Sequence, residues 1–157
     1  MKKGKKTVII VLLCALALFL VGNLFWAVWR EARYGAYGKG MKTNDVSTVI
    51  VPRYYYTDSE GYDYSVKYPD YLSFTGNMSV GLPATPEVFF TDFMVIWPNP
   101  FGGYKYGVSL TVGEENYQIY INPDGTAVDP EYKELAEQHQ DTIKDLMNKA
   151  DEMWHLN

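Results

Sequence analysis

The sequence offers few side chains for nucleophilic catalysis. A serine, threonine or cysteine nucleophile needs an adjacent base, usually a histidine, and only His139 and His155 are present. His139 falls on the apolar side of a predicted helix and His155 lies near the carboxyl end, so both have ordinary structural interpretations. The chain contains no glycine-rich phosphate loop and no histidine or cysteine spacing typical of a metal site. We therefore predict no catalytic residue, no metal and no cofactor.

Carboxylates are the remaining candidates for catalysis, because two acids can serve as acid and base when their environments separate their pKa values. Asp92 is embedded in the apolar run "VFFTDFMVIW" from Val88 to Trp97. An edge position or a hydrogen-bond partner would also explain a carboxylate there. A carboxylate-dependent hydrolase acting on wall glycans is therefore the alternative function, and it requires a second acid beside Asp92.

Tyrosines are concentrated between Arg53 and Phe74, where seven occur in twenty-two residues. The stretch "YDYSVKY" alternates, which predicts tyrosines packed on one face of a strand. Three tyrosines in succession on a strand cannot all face inward, so some of them must be exposed. An exposed phenol suits recognition of a sugar ring, a peptide or a partner sheet. The predicted binding residues are Tyr54, Tyr55, Tyr56 and Tyr120.

A long apolar segment runs from Thr7 to Trp29, "TVIIVLLCALALFLVGNLFWAVW", and contains no charged residue. A helix of this length reaches about 35 Å, and the hydrocarbon core of a bilayer is about 30 Å thick. A cleaved signal peptide is the alternative, but its apolar region is normally about 7 to 15 residues long and precedes a small-residue cleavage site. We predict an uncleaved signal anchor that contacts the lipid bilayer through residues 7–29.

The flanks of this segment predict its orientation. Residues 1–6 contain four lysines, which favour a cytoplasmic amino end. Aromatic rings favour the headgroup layer, and three lie at the distal end of the segment. These predicted interface residues are Phe25, Trp26 and Trp29. A further hypothesis is that the anchor itself is functional, with Gly22 and Asn23 packing against another membrane helix.

Residues 30–45 contain three glycines within "EARYGAYGKGMKTND" and have no apolar period, which predicts a flexible linker. Residues 46–157 then form the predicted extracytoplasmic domain. From Arg30 onward ten basic residues stand against nineteen acidic ones, a formal charge of −9. A negative surface repels polyanions, so we expect no nucleic-acid partner. The only cysteine, Cys14, lies in the predicted span, so no disulfide stabilises this domain.

The domain is predicted to be α+β, with an N-terminal transmembrane helix followed by an antiparallel meander of five or six strands and a long covering helix. Asp129 and Pro130 are typical of a helix start, and apolar residues then recur at three- and four-residue steps for about twenty-five residues. The near-continuous run from Val88 to Trp97 predicts a central strand covered on both sides. The predicted strand regions are 46–56, 62–68, 71–80, 88–97, 104–112 and 117–122.

These features favour a non-enzymatic binding or accessory module, anchored by a single span just outside a bacterial plasma membrane. Its expected partner is another envelope protein or a cell-wall polymer.

Overall fold

The computed structural model describes residues 3–43, 53–83 and 92–156. The chain forms two compact units, Met1–Ala36 and Tyr37–Asn157. The first is essentially one helix, and the second contains a sheet and the C-terminal helices.

The first unit contains helix α1, Lys3–Tyr34. At about 1.5 Å per residue its 32 residues extend about 48 Å, and it is long and apolar enough to cross a membrane. Asn23 donates its side-chain amide to the backbone oxygen of Phe19 at 2.7 Å, so this polar group is paired within the helix. Near the helix end the Arg30 guanidinium lies 4.8 Å from the centre of the Trp26 ring.

The second unit contains a seven-stranded antiparallel sheet in which every strand pairs with its sequence neighbours. The prediction of five or six strands is therefore wrong. The additional strand is a two-residue edge strand within the glycine-rich stretch predicted as a linker, where no periodicity indicates it. The strands are β1 Lys42–Thr43, β2 Arg53–Thr57, β3 Asp63–Lys67, β4 Asn77–Gly81, β5 Phe93–Pro98, β6 Tyr104–Val112 and β7 Glu115–Ile121. Residues 46–52 and 88–91 of the predicted strands lie outside the described residues.

One face of the sheet forms the core of the second unit. In β3 the predicted alternation is confirmed, with Tyr64 and Val66 buried. Helix α3, Gln140–Trp154, packs against this face, where it contacts β4 and β5. Buried apolar surface on both layers stabilises the arrangement. The buried residues of the two layers are Tyr64, Val66, Met78, Val80, Met94, Ile96, Val108, Leu110, Ile119 and Ile121 on the sheet, and Ile143, Leu146, Ala150 and Trp154 on the helix.

The C-terminal helical segment starts where predicted but is not one helix. Asp129 is the N-cap, since its side chain accepts a hydrogen bond from the Glu131 amide at 3.0 Å. A 3₁₀ turn, Pro130–Tyr132, leads into α2, Lys133–Gln138. His139 then leaves helical geometry, with φ −104° and ψ 20°, and separates α2 from α3. The predicted single helix of about twenty-five residues is therefore wrong. The apolar stripe continues across the break at His139, so the sequence pattern does not indicate the break.

Strand β5 was predicted to be covered on both sides, and this is also wrong. Met94 and Ile96 are buried under α3, but the alternate residues Phe93, Val95 and Trp97 are at least partly exposed. Hydrophobicity alone does not distinguish a two-sided central strand from a strand with one apolar, open face.

The turn between β2 and β3 is tied to both layers. Asp58 accepts hydrogen bonds from the amides of Glu60 and Tyr62 and from the Tyr64 hydroxyl, at 2.9, 3.0 and 3.1 Å. Burial alone would raise the pKa of Asp58, but these hydrogen bonds outweigh it and lower the pKa below its ordinary value. The Tyr62 hydroxyl donates to Asp145 of α3 at 2.7 Å. The turn is thus fastened to the covering helix.

We expect the Tyr62 contact to weaken in alkali. The hydrogen bond to the Asp145 carboxylate, with burial and the charge of that carboxylate, raises the pKa of Tyr62 to about 12. A raised folded-state pKa means that the stabilisation is complete below the ordinary value near 10 and is lost as pH rises through about 12. At pH 8, Tyr62→Phe should therefore lower the free energy of unfolding by about 1 kcal/mol. Urea unfolding of the full chain in detergent measures this difference.

The free energies of unfolding of the wild-type chain and of Tyr62→Phe should differ less at pH 11.5 than at pH 8. Tyr55→Phe, on an exposed tyrosine of β2, is the matched control and should change stability little at either pH. An equal loss for Tyr62→Phe at both pH values would contradict the assigned hydrogen bond.

Candidate functional site

The sheet face opposite α3 is the candidate binding surface, and we refer to it as the open face. Strand pairing aligns Val95, Gly107 and Tyr120 in one row across β5, β6 and β7. The adjacent row aligns Phe93 of β5 with Ser109 and Gln118. Because side chains alternate along a strand, both rows project from the side that does not pack on α3.

Gly107 permits an indole ring to lie across the middle of this face. A Cβ atom at position 107 would lie 2.9 Å from Cζ3 and 3.0 Å from Cη2 of Trp97. The missing side chain therefore lets the Trp97 ring approach the backbone of the neighbouring strand. The centre of the Tyr120 ring lies 5.8 Å from that of Trp97, with 51° between the planes. The two rings form a continuous aromatic wall.

A groove of about 230 Å³ lies beside this wall, and we refer to it as the aromatic groove. Tyr120 is 62% exposed and Phe93 is 36% exposed, so large rings at its margins are open to solvent. Ser109 is buried at its floor and donates to the side-chain oxygen of Asn116 at 2.7 Å. The residues that line the groove are uncharged. Phe93, Val95, Trp97, Ser109, Gln118 and Tyr120 belong to the open face, whereas Gly107, Val108 and Ile119 border the groove through their backbone.

A second, larger hollow of about 560 Å³ adjoins the aromatic wall on its other side. Trp97 and Tyr120 line both hollows. The second hollow adds polar side chains, among them Asn99, Lys105 and Asn122.

The four predicted binding tyrosines do not form one strip. Tyr54 and Tyr56 face the α3 side, where their ring centres lie 5.0 Å from Tyr68 and 5.9 Å from Tyr64. Tyr55 and Tyr120 occur in the same row of the open face, but four strands lie between β2 and β7. At about 4.8 Å per strand the two are roughly 24 Å apart. Only Tyr120 belongs to the aromatic groove.

The Asp92 side chain, which directly precedes β5, is hydrogen-bonded to a neighbouring strand. One carboxylate oxygen accepts a hydrogen bond from the Thr111 amide at 2.7 Å, and its backbone oxygen accepts one from Leu82 at 3.0 Å. The carboxylate thus has the partner that its apolar surroundings require. Within residues 3–43, 53–83 and 92–156, no group of three or more histidine, cysteine, aspartate or glutamate side chains could hold a metal ion.

The sequence analysis did not predict three residues of the groove, namely Phe93, Trp97 and Gly107. The apolar run of β5 indicated burial of both its faces, which concealed the exposed rings. Gly107 occurs within a regular alternation, and an isolated glycine in a strand is a signal of close approach by another group. Which ring approaches it depends on the register of β5 against β6.

Comparison of the chain with known proteins found no matching family model, no matching curated protein and no matching solved structure.

Proposed function

We propose that the chain is a single-pass membrane protein whose extracytoplasmic domain binds another envelope protein or a cell-wall polymer through the aromatic groove. The observation that carries this proposal is the open sheet face with Phe93, Trp97 and Tyr120 around a groove of about 230 Å³. The domain acts by recognition and positioning, without chemistry of its own.

The anchor is supported by helix α1 and the charges around it. The helix is long and apolar enough to span a bilayer, and the preceding lysines favour a cytoplasmic amino end. In this orientation Phe25, Trp26 and Trp29 lie at the outer headgroup layer. The sheet domain then functions at the outer surface of a bacterial plasma membrane.

The binding role is supported by the composition of the open face. Clustered exposed aromatic rings mark interaction sites more often than scattered ones, and tyrosine and tryptophan are enriched among residues that dominate binding energy. The buried Ser109 and the exposed Gln118 supply hydrogen-bonding groups beside the rings. This mixture favours a ligand with both apolar surfaces and polar groups.

The hydrolase alternative depends on Asp92. Its carboxylate accepts a backbone hydrogen bond from Thr111, which favours a structural role for this acid. Asp92→Asn tests the alternative, because a hydrolase acting through this acid would lose its activity on cell-wall glycans while the fold is retained.

The groove predicts a specific pattern of crosslinking in native membranes. A photoreactive residue in place of Gln118, at the margin of the groove, should form adducts with the partner. Adding Tyr120→Ala should reduce adduct formation about tenfold or more, because truncating an aromatic residue at a binding centre typically costs about 2 kcal/mol or more and a tenfold change in affinity corresponds to about 1.4 kcal/mol. Gel shifts identify protein adducts, and digestion with a wall-degrading enzyme identifies polymer adducts.

Tyr55→Ala is the matched control. It removes the same side chain from the same face at a position five strands away, and it should leave the adducts intact. Equal losses for Tyr55→Ala and Tyr120→Ala, or adducts unaffected by both, would contradict binding at the aromatic groove.

A further inference from the structure

Exposed apolar side chains are collected on loops at one end of the sheet. Phe101 lies in the turn between β5 and β6 and is fully exposed, at 103%. The loop between β3 and β4 exposes three more. The strands alternate in direction, so both connections leave the same end of the sheet. We refer to these four residues, Tyr71, Leu72, Phe74 and Phe101, as the apolar rim.

The conformation of the rim is fixed by local hydrogen bonds. The Asn99 amide donates to the Gly103 oxygen at 3.0 Å, which closes the turn that presents Phe101. In the loop between β3 and β4, the Ser73 amide donates to the backbone oxygen of Asp70 at 2.8 Å. Leu72, which is 54% exposed, adopts a left-handed backbone with φ 57°. Leucine rarely adopts this conformation.

The chain enters the sheet domain near the same end. The hydroxyls of Tyr37 and Tyr104 lie 3.0 Å apart, and Tyr104 is the first residue of β6, next to the turn that carries Phe101. The Trp154 indole donates to the Tyr37 backbone oxygen at 3.2 Å, which holds this residue against the end of α3. The first residue of the domain is thus fastened beside the rim.

Chain length brings this end of the domain close to the proposed bilayer. Trp29 ends the predicted span, and Tyr37 follows it by eight residues. Eight residues reach at most about 28 Å when fully extended, and Arg30 to Tyr34 are helical and therefore shorter. Tyr37 therefore lies no more than about 28 Å from Trp29, which puts the headgroup layer, where phenyl and phenol rings are favourable, within reach of the rim.

We propose that the apolar rim inserts into the headgroup layer of the membrane that holds α1, and so fixes the orientation of the sheet domain on that surface. This inference depends on the proposed anchoring. The residues from Arg30 onward carry a formal charge of −9, so charge attraction to anionic lipid does not explain the contact. Apolar side chains supply the contact, and the tether supplies the high local concentration.

Nitroxide labels on the full chain in phosphatidylethanolamine–phosphatidylglycerol nanodiscs test this proposal. A label on Phe101→Cys, in a Cys14→Ser background, should collide more with oxygen dissolved in lipid and several-fold less with a water-soluble nickel chelate. The matched control is Glu114→Cys, on the exposed turn between β6 and β7 at the opposite end of the sheet, where the label should remain in water. Phe101 is fully exposed, so its replacement leaves the core intact.

A label on the native Cys14 separates the two proposals. If Cys14 is in lipid but the Phe101→Cys label is as exposed to nickel as the Glu114→Cys label, the rim contact is wrong and the anchor stands. A water-accessible Cys14 would overturn the anchor and the rim contact together. A Glu114→Cys label in lipid would also overturn the proposed orientation. Lipid contact at Cys14 and at the Phe101 position, with water at position 114, supports it.

Discussion

Leu146→Ala should lower the free energy of unfolding of the sheet domain by about 2 to 5 kcal/mol. Leu146 lies in the middle of α3, is fully buried and helps to cover the sheet. Truncation removes buried methyl groups and leaves a cavity that a packed interface fills only in part. The domain has no cysteine to form a disulfide, so its stability depends on this core. Urea unfolding of the full chain in detergent, followed by tryptophan fluorescence, measures the loss.

Lys144→Ala is the control for Leu146→Ala. Lys144 occupies the same helix but is exposed, so its truncation should change stability by less than about 0.5 kcal/mol. If Leu146→Ala were as mild as Lys144→Ala, α3 would not be the layer that covers the sheet.

Gly107→Ala should disrupt the aromatic groove while leaving the fold largely intact. The added methyl group would lie 2.9 Å from the Trp97 ring, so the indole must move. The contacted atoms belong to the far edge of a side chain, and the Gly107 backbone is not left-handed, so the change in stability should stay within about 1 kcal/mol. Displacement of the ring should reduce crosslinking from position 118 about tenfold, as Tyr120→Ala does.

A double mutant that combines Gly107→Ala with Trp97→Ala tests how Gly107 acts. If Gly107→Ala works by moving Trp97, it should add little to the loss caused by Trp97→Ala, since residues that act through one contact are not additive. A shift in the Trp97 indole resonance should accompany the single substitution. Full additivity, or undiminished crosslinking in Gly107→Ala, would contradict the role of the close approach between these two residues.

Two surfaces of the domain thus have different proposed partners. The aromatic groove combines uncharged polar groups with the Trp97 and Tyr120 rings, which suits a specific ligand. The apolar rim carries exposed apolar side chains on loops next to the point where the chain enters, which suits a lipid surface. If the rim lies on the membrane, the strands point away from the membrane surface, and the open face remains accessible to a partner.

The amino-acid sequence determined the features that depend on local pattern. A charge-free run of twenty-three residues specifies a helix of membrane-spanning length, since the relevant quantities are hydrophobicity and rise per residue. The alternation around Tyr64 and Val66 specifies which residues of β3 are buried. Asp129 before Pro130 specifies where the C-terminal helical segment starts, because the cap acts on amides two residues away.

Only the tertiary structure decided the features that depend on which strands are neighbours. β1 is recognisable through its pairing with Tyr54 and Tyr55, since its two residues carry no pattern of their own. The break at His139 interrupts a stripe whose periodicity continues. Tyr55 and Tyr120 share a row, yet four strands lie between them, whereas Trp97 meets Tyr120 across Gly107. Strand register sets these distances, and register arises from packing of the whole sheet against α3, which no short stretch of sequence encodes.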